Sequence, residues 1–321
     1  MTDRLAEQGA LQYAVENLAT AGTNPNRLGL AGYIHAAYTD YQTWAAANPG
    51  VNPTRLSARG RLYGYFYDNG DPDAVITALF ASGEQGAWYD PSDLSTMFQD
   101  AAGTTPVTAD GQPVGLIRDK SGRNNHASQA TAAKRPLYKT DGTLHWLQFD
   151  GVNSALATAS IDFTVTGNVT VFIGIDKLSD ATVGTVFGIG DVNVNNRCLY
   201  IRAPGDIGTP TYRIGMKGPA WAEANGGIAT APVTNVITDI AQCAAPRQEL
   251  RINAVSSVVN TDNPAMPTFG NLPIYIAETG SGMQYSNSHI YSLIALGRLA
   301  TTQEITDTET WVANKTGISL P

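Results

Sequence analysis

The chain has 321 residues, 20 Lys and Arg against 28 Asp and Glu, a net charge of −8, and only 15% charged residues. That balance gives no global attraction to nucleic acid or to an anionic membrane, and no apolar run reaches the roughly 20 residues of a membrane-spanning helix. Binding to nucleic acid and insertion into a membrane are thereby excluded as expectations, and the length suffices for a core that needs no disulfide or metal staple. With 32 Gly and 17 Pro the composition suits a loop-rich all-β protein.

The opening "MTDRLAEQGALQY" lacks the basic stretch and apolar run of a secretion signal, so synthesis in a cytoplasm is expected. From Leu5 to Ala19 the apolar positions Leu11, Ala14, Val15 and Leu18 share one helical side. Leu30, Ile34, Ala37, Tyr41 and Trp44 recur at helical spacing, and Asn48-Pro49-Gly50 ends that helix. Further short helices are expected over Thr54 to Phe66 and after Asp71-Pro72, an N-cap followed by proline at the first helical position. Within this region Arg55, Arg59 and Arg61 adjoin Tyr63 and Tyr67, residue types enriched where proteins dock on proteins. The alternative for the same cluster is a core of tyrosines beneath a solvated arginine face.

Near residue 85 the pattern changes to short strand-like runs divided by Gly, Asn, Asp and Pro. They are 144–149, 169–176, 185–190, 198–203, 211–216, 235–241, 249–254, 273–278 and 289–297. Without intervening helices, such runs predict an antiparallel sandwich or barrel. Thr301 to Glu304 fits a capping box for a closing helix that ends at Gly317. In that helix Glu304, Asp307 and Glu309 read as a solvated face. Cys198 and Cys243 form no CxxC pair and are expected as free core thiols.

Catalytic spacings are missing. The chain has no Gly-x-Ser-x-Gly elbow, no phosphate-cradling loop and no His-Glu-x-x-His. Histidines 35, 126, 145 and 289 are scattered, and the strand acids Asp176, Asp239, Glu249 and Glu278 are solitary. For recognition of carbohydrate, which needs aromatic faces and planar polar groups, the stretch 211–227 offers Tyr212, Arg213, Trp221 and Asn225. Its Pro/Gly loop would hold Trp221 outward; the alternative is that Trp221 plugs the loop against the sandwich.

Three strings, "LIRDKSGRNNHASQ" (116–129), "LQFDGVNSAL" (147–156) and "HIYSLIALGRLATTQEITDTETWVANKTG" (289–317), resemble in order and spacing the LamG-like concanavalin A lectin/glucanase superfamily. The likeness rests on Asp119, Ser121, Gly122, Asn125, His126, Phe149, Asp150, Gly151, Leu299, Glu304 and Ile305, and covers about two-thirds of the chain. It implies a mainly β fold, a concanavalin A-like jelly roll, an antiparallel β-sandwich over 86–321 with a short C-terminal helix, while the helical spacing and the Arg/Tyr cluster upstream make 1–85 a helical docking region. In some relatives residues equivalent to Asp119, Asp150 and Asn153 hold Ca²⁺, but calcium wants 6–8 oxygens and no dense acidic loop is present, so turn scaffolding is the expected role and neither metal nor cofactor is expected. Glycosidases of this superfamily carry Glu-x-Asp-x-(x)-Glu in one strand, which is missing here. The stretch from Gly86 to Ala127 also resembles jelly-roll modules of virion proteins from tailed bacteriophages. The resemblance therefore implies a non-enzymatic virion protein, a tail, baseplate or fibre-associated component attaching to host-surface glycan. Its partners would be other virion proteins and further copies of itself. A capsid decoration protein and a glycan-cleaving enzyme of the same fold are the alternatives.

Overall fold

The structure, a computed structural model, describes residues 73–194 and 197–321. The helices expected before residue 70 and the cluster Arg55, Arg59, Arg61, Tyr63 and Tyr67 lie outside the described residues. Val75 to Pro321 form one compact unit. At its start, after the Asp71-Pro72 signal, helix α1 (Ala74–Leu79) buries Val75, Ile76 and Leu79.

Seventeen strands then follow among the described residues. They are β1 (Gly86–Tyr89), β2 (Met97–Phe98), β3 (Leu116–Ile117), β4 (Ala127–Ser128), β5 (Leu137–Thr140), β6 (His145–Asp150), β7 (Leu156–Phe163), β8 (Asn168–Lys177) and β9 (Thr185–Ile189), followed by β10 (Cys198–Arg202), β11 (Thr211–Lys217), β12 (Trp221–Ile228), β13 (Val233–Gln242), β14 (Arg247–Ile252), β15 (Val255–Asn260), β16 (Gly270–Ile276) and β17 (Asn287–Leu296). An eight-stranded sheet runs β15-β14-β13-β8-β17-β6-β5, with β1 also paired to β17. The nine-stranded sheet runs β12-β11-β10-β9-β16-β7-β4-β3-β2. The pairings between the named strands are antiparallel.

The expected antiparallel β-sandwich is therefore observed. Val171, Ile173 and Ile175 of β8 and Ile237 and Ala241 of β13 share one buried cluster with Leu199 and Ile201 of β10 and Ile214 and Met216 of β11, as inner faces of two stacked sheets do. The closing helix forms as its signals require. In α2 (Thr302–Thr316) the Thr301 side chain accepts from Glu304 N, the Glu304 side chain accepts from Thr301 N, and Gly317 ends the helix at φ 72°. The helix lies on the outer face of the eight-stranded sheet, where a Cβ on Gly174 would sit 2.6 Å from Thr316 Cγ2 and 3.1 Å from Val312 Cγ1.

This packing corrects the reading of the helix acids. Glu309 is buried, 1% exposed, and accepts from Thr238 Oγ1 at 2.8 Å. It faces the sheet because it lies one turn before Ala313 and beside Val312, both on the buried side. Glu304 accepts from Arg298 at 2.8 and 2.9 Å, and Asp307 accepts from Gln303 Nε2 at 2.8 Å. Only the spacing within the helix was visible in sequence; the partners Thr238 and Arg298, distant or outside the helix, were not.

The turn residues behave as scaffolding. Asp119 accepts from the amides of Trp88, Ser121 and Asn125 at 2.8–2.9 Å. Asp150 accepts from the amides of Val152, Asn153 and Ser154 at 2.8–3.0 Å, and these bonds hold its carboxyl below its ordinary value against the opposing effect of burial. Cys198 and Cys243 are both buried.

Candidate functional site

Helix α2 covers the eight-stranded sheet, so the outer face of the nine-stranded sheet is the one to search for a ligand surface. At its end Leu199, Ile201, Tyr212, Ile214, Met216 and Ala222 point into the core. The residues between them face outward. Register sets these outward residues in three cross-strand rows over β10, β11 and β12. Cys198 pairs with Lys217 and Lys217 with Trp221; Tyr200 pairs with Gly215 and Gly215 with Glu223; Arg202 pairs with Arg213 and Arg213 with Asn225.

Hydrogen bonds and rings tie the rows together. Arg213 Nε donates to Asn225 Oδ1 at 2.8 Å, and Arg213 Nη2 donates to Asp206 in the connection after β10. The Tyr200 hydroxyl donates to Glu223 Oε1. Its ring lies over Gly215, where any Cβ would meet it. Arg202 Cζ is 4.4 Å from the Tyr200 ring centroid, within cation–π range. At the opposite corner Lys217 Nζ is 5.0 Å from the Trp221 ring centroid, and Trp221 meets Tyr200 edge-on at 6.5 Å and 69°.

Three of the four sequence-predicted recognition residues are thus brought together, although not in a loop. Arg213, Trp221 and Asn225 share the outer face of a hairpin whose turn is only Gly218 to Ala220. Trp221 stands 50% exposed. Tyr212 faces the other way: it is fully buried and its hydroxyl accepts from Asn235 Nδ2 at 3.0 Å, so it offers no surface to a ligand. The sequence reading missed Tyr200, Arg202, Glu223 and Lys217. Their signal was the alternation in "CLYIRA", which puts 198, 200 and 202 on one face, but nothing local told which face.

The electrostatics suit recognition. Desolvation raises the Glu223 carboxyl above its ordinary value. Burial lowers the Arg202 guanidinium to about 10; the charge of Arg213 adds to that effect and Asp206 opposes it. Burial lifts the Cys198 thiol to about 11, which leaves little thiolate for chemistry at neutral pH. Glu223 is engaged by Tyr200 and Asp206 by Arg213. The face therefore offers a stacking surface, fixed acceptors and guanidinium donors.

Elsewhere the three histidines among the described residues are partnered, His35 lying outside them. His126 Nδ1 accepts from Asp119 N at 3.0 Å, His145 Nδ1 shares a 2.7 Å hydrogen bond with Tyr138 Oη, and His289 Nδ1 lies 3.4 Å from Asp176 Oδ2. Among the described residues no group of three His, Cys, Asp or Glu is placed to hold a metal ion, and no helix is long and apolar enough to cross a membrane.

No protein-family model and no curated protein matches the chain. Solved structures similar to it include the receptor-binding domain of botulinum neurotoxin C/D mosaic serotype, at 8% identity and TM-score 0.49, covering 71% of this chain and 51% of that one. A Trypanosoma rangeli sialidase in complex with the inhibitor DANA is similar at 11% identity and TM-score 0.46, covering 74% and 37%. The ligand-binding domain of botulinum neurotoxin serotype D, in complex with N-acetylneuraminic acid, is similar at 10% identity and TM-score 0.45, covering 60% and 48%. The chain spans about half the length of the neurotoxin domains it matches.

Proposed function

We propose that the outer face of β10, β11 and β12 binds carbohydrate, and that the chain is a non-enzymatic attachment protein of a tailed-phage virion. The observation that carries the glycan reading is Trp221, half exposed on a sheet face with Arg213, Asn225 and Glu223 in the adjoining rows. An apolar ring beside planar polar groups matches a sugar's apolar face and hydroxyl edge. The virion reading is supported by the likeness of Gly86 to Ala127 to phage jelly-roll modules, with residues 1–85 as the docking region and a tail or baseplate position as the favoured place. The engagement of Glu223 and Asp206 by neighbouring side chains supports binding without bond cleavage.

Two measurements test this. Adsorption of the purified protein to host cells and to their extracted surface polysaccharide should fall tenfold or more in Trp221→Ala, as loss of a central aromatic anchor costs about 2 kcal/mol, with thermal unfolding unchanged. Equal adsorption by the variant rejects the glycan face. Arg59→Ala combined with Tyr63→Ala should lower the copy number in assembled particles, and normal incorporation rejects the docking region.

A further inference from the structure

We infer that the ligand of this face bears a carboxylate, received by Arg202 with Arg213 beside it; the inference rests on the glycan-binding reading above. Arg202 is only 9% exposed, and its Nε is buried without a hydrogen-bond partner. A guanidinium carries five N–H donors in a fixed fork, yet no described residue accepts from this one. An arginine removed from water without an acceptor is costly. Buried polar groups in native proteins are nearly always satisfied, so the open Nε points to an acceptor beyond the described residues, which we assign to the ligand.

The neighbouring groups narrow its chemistry. Asp206 and Glu223 are the acids beside Arg202 and Tyr200, and they are already bound by Arg213 Nη2 and by the Tyr200 hydroxyl. Arg213 Nε is committed to Asn225. One arginine is thus left unmatched, with two carboxylates close by that repel a multiply charged group. A single negative charge with two in-plane oxygens fits that setting, and the arginine fork receives a carboxylate at two points. Burial lowers the proton affinity of Arg202, with Arg213 adding to the effect and Asp206 opposing it, as expected of a guanidinium held away from water.

The rows also set the ligand's reach. Trp221 and Arg202 occupy opposite corners, and both side chains lean over Tyr200, at 6.5 Å and 4.4 Å from its ring centroid, so the Trp221 ring and the Arg202 guanidinium lie within about 11 Å of each other. That span calls for an oligosaccharide containing an acidic unit, stacked at Trp221 and ion-paired at Arg202.

Calorimetric titration of the full chain decides this, using oligomers of galacturonate, hyaluronan and polysialic acid, each beside its carboxyl-reduced counterpart, with dextran sulfate as a sulfated control. At least one carboxylated oligomer should bind tenfold to a hundredfold more tightly than its reduced form, and added salt should weaken it. Arg202→Met, which keeps apolar packing over Tyr200, should abolish that preference, bringing the acidic and reduced forms to the same affinity. Arg202→Lys, which keeps the charge without the fork, should retain part of it, and serves if the methionine variant unfolds. Equal binding of acidic and reduced forms, with Trp221→Ala losing both, overturns the carboxylate inference and leaves the glycan face standing. Tighter binding of dextran sulfate than of every carboxylated oligomer also overturns it. Binding to none of the probes overturns both readings.

Discussion

Arg251 and Glu309 form a two-point ion pair between β14 and α2, Nε to Oε1 at 2.8 Å and Nη2 to Oε2 at 3.0 Å. Glu309 is 1% exposed and Arg251 23% by side chain, and Thr238 Oγ1 adds a third bond to the same carboxylate. The pair, with the apolar side of α2, seats the helix on the sheet.

Replacing Glu309 by Ala leaves a partly buried guanidinium and a buried hydroxyl without their acceptor. Breaking one partner of a fully buried pair costs about 3–5 kcal/mol, and the exposure of Arg251 lowers this to about 2 kcal/mol. Urea denaturation should show that loss, with Glu309→Gln losing less because it keeps an acceptor. An unchanged midpoint for Glu309→Ala would mean that the helix is held by its apolar contacts alone.

Asp239 gives the sandwich a pH dependence of unusual sign. It lies between the core residues Ile237 and Ala241 on β13, accepts from Gln248 Nε2 at 2.9 Å, and burial pushes its carboxyl to about 7, the Gln248 bond opposing. Between roughly pH 4 and 7 the folded chain holds a proton here that the unfolded chain has released, so this group's contribution to stability falls as pH rises through that window. The penalty is complete above pH 7 and amounts to about 4 kcal/mol. Asp239→Asn should be more stable than the parent at pH 8 and lose the advantage by pH 4. A constant difference between the two proteins across that range would sink the assignment.

Gly215 is the floor under Tyr200. Gly215→Ala places a methyl group in the ring's position, so the ring must swing out and release Glu223 and Arg202. The variant should keep its β-rich circular dichroism but bind carbohydrate at least tenfold less tightly. Unchanged affinity would show that the packing of Tyr200 does not position the rows.

Much of the sandwich was legible because its signals are local. Period-two runs such as 169–176 and 235–241 became β8 and β13, and the capping box from Thr301 to Glu304 with Gly317 became the start and stop of α2. The short strands β2, β3 and β4, two residues each, carry no such period and exist only because a neighbouring strand supplies their hydrogen bonds. The segment around Trp221 was read as a loop because Pro219 and Gly218 resemble loop residues. In the fold they make a turn between two strands.

Sequence alone determined the class: strand period, turn residues and helix caps act over a few positions, and together they allow little but an antiparallel sandwich or barrel with a closing helix. Tertiary structure alone decided the faces. Alternation separates Tyr212 from Arg213 and Cys198, Tyr200 and Arg202 from Leu199 and Ile201, yet the choice of inner side depends on which sheet packs against which. The same holds for charge: helix phase turns Glu309 toward the sheet, but only the fold brings Arg251, 58 residues away along the chain, to pair with it there. The unmatched guanidinium of Arg202 likewise has no trace in sequence, because an ion pair that fails to form is a property of neighbours brought together from separate strands.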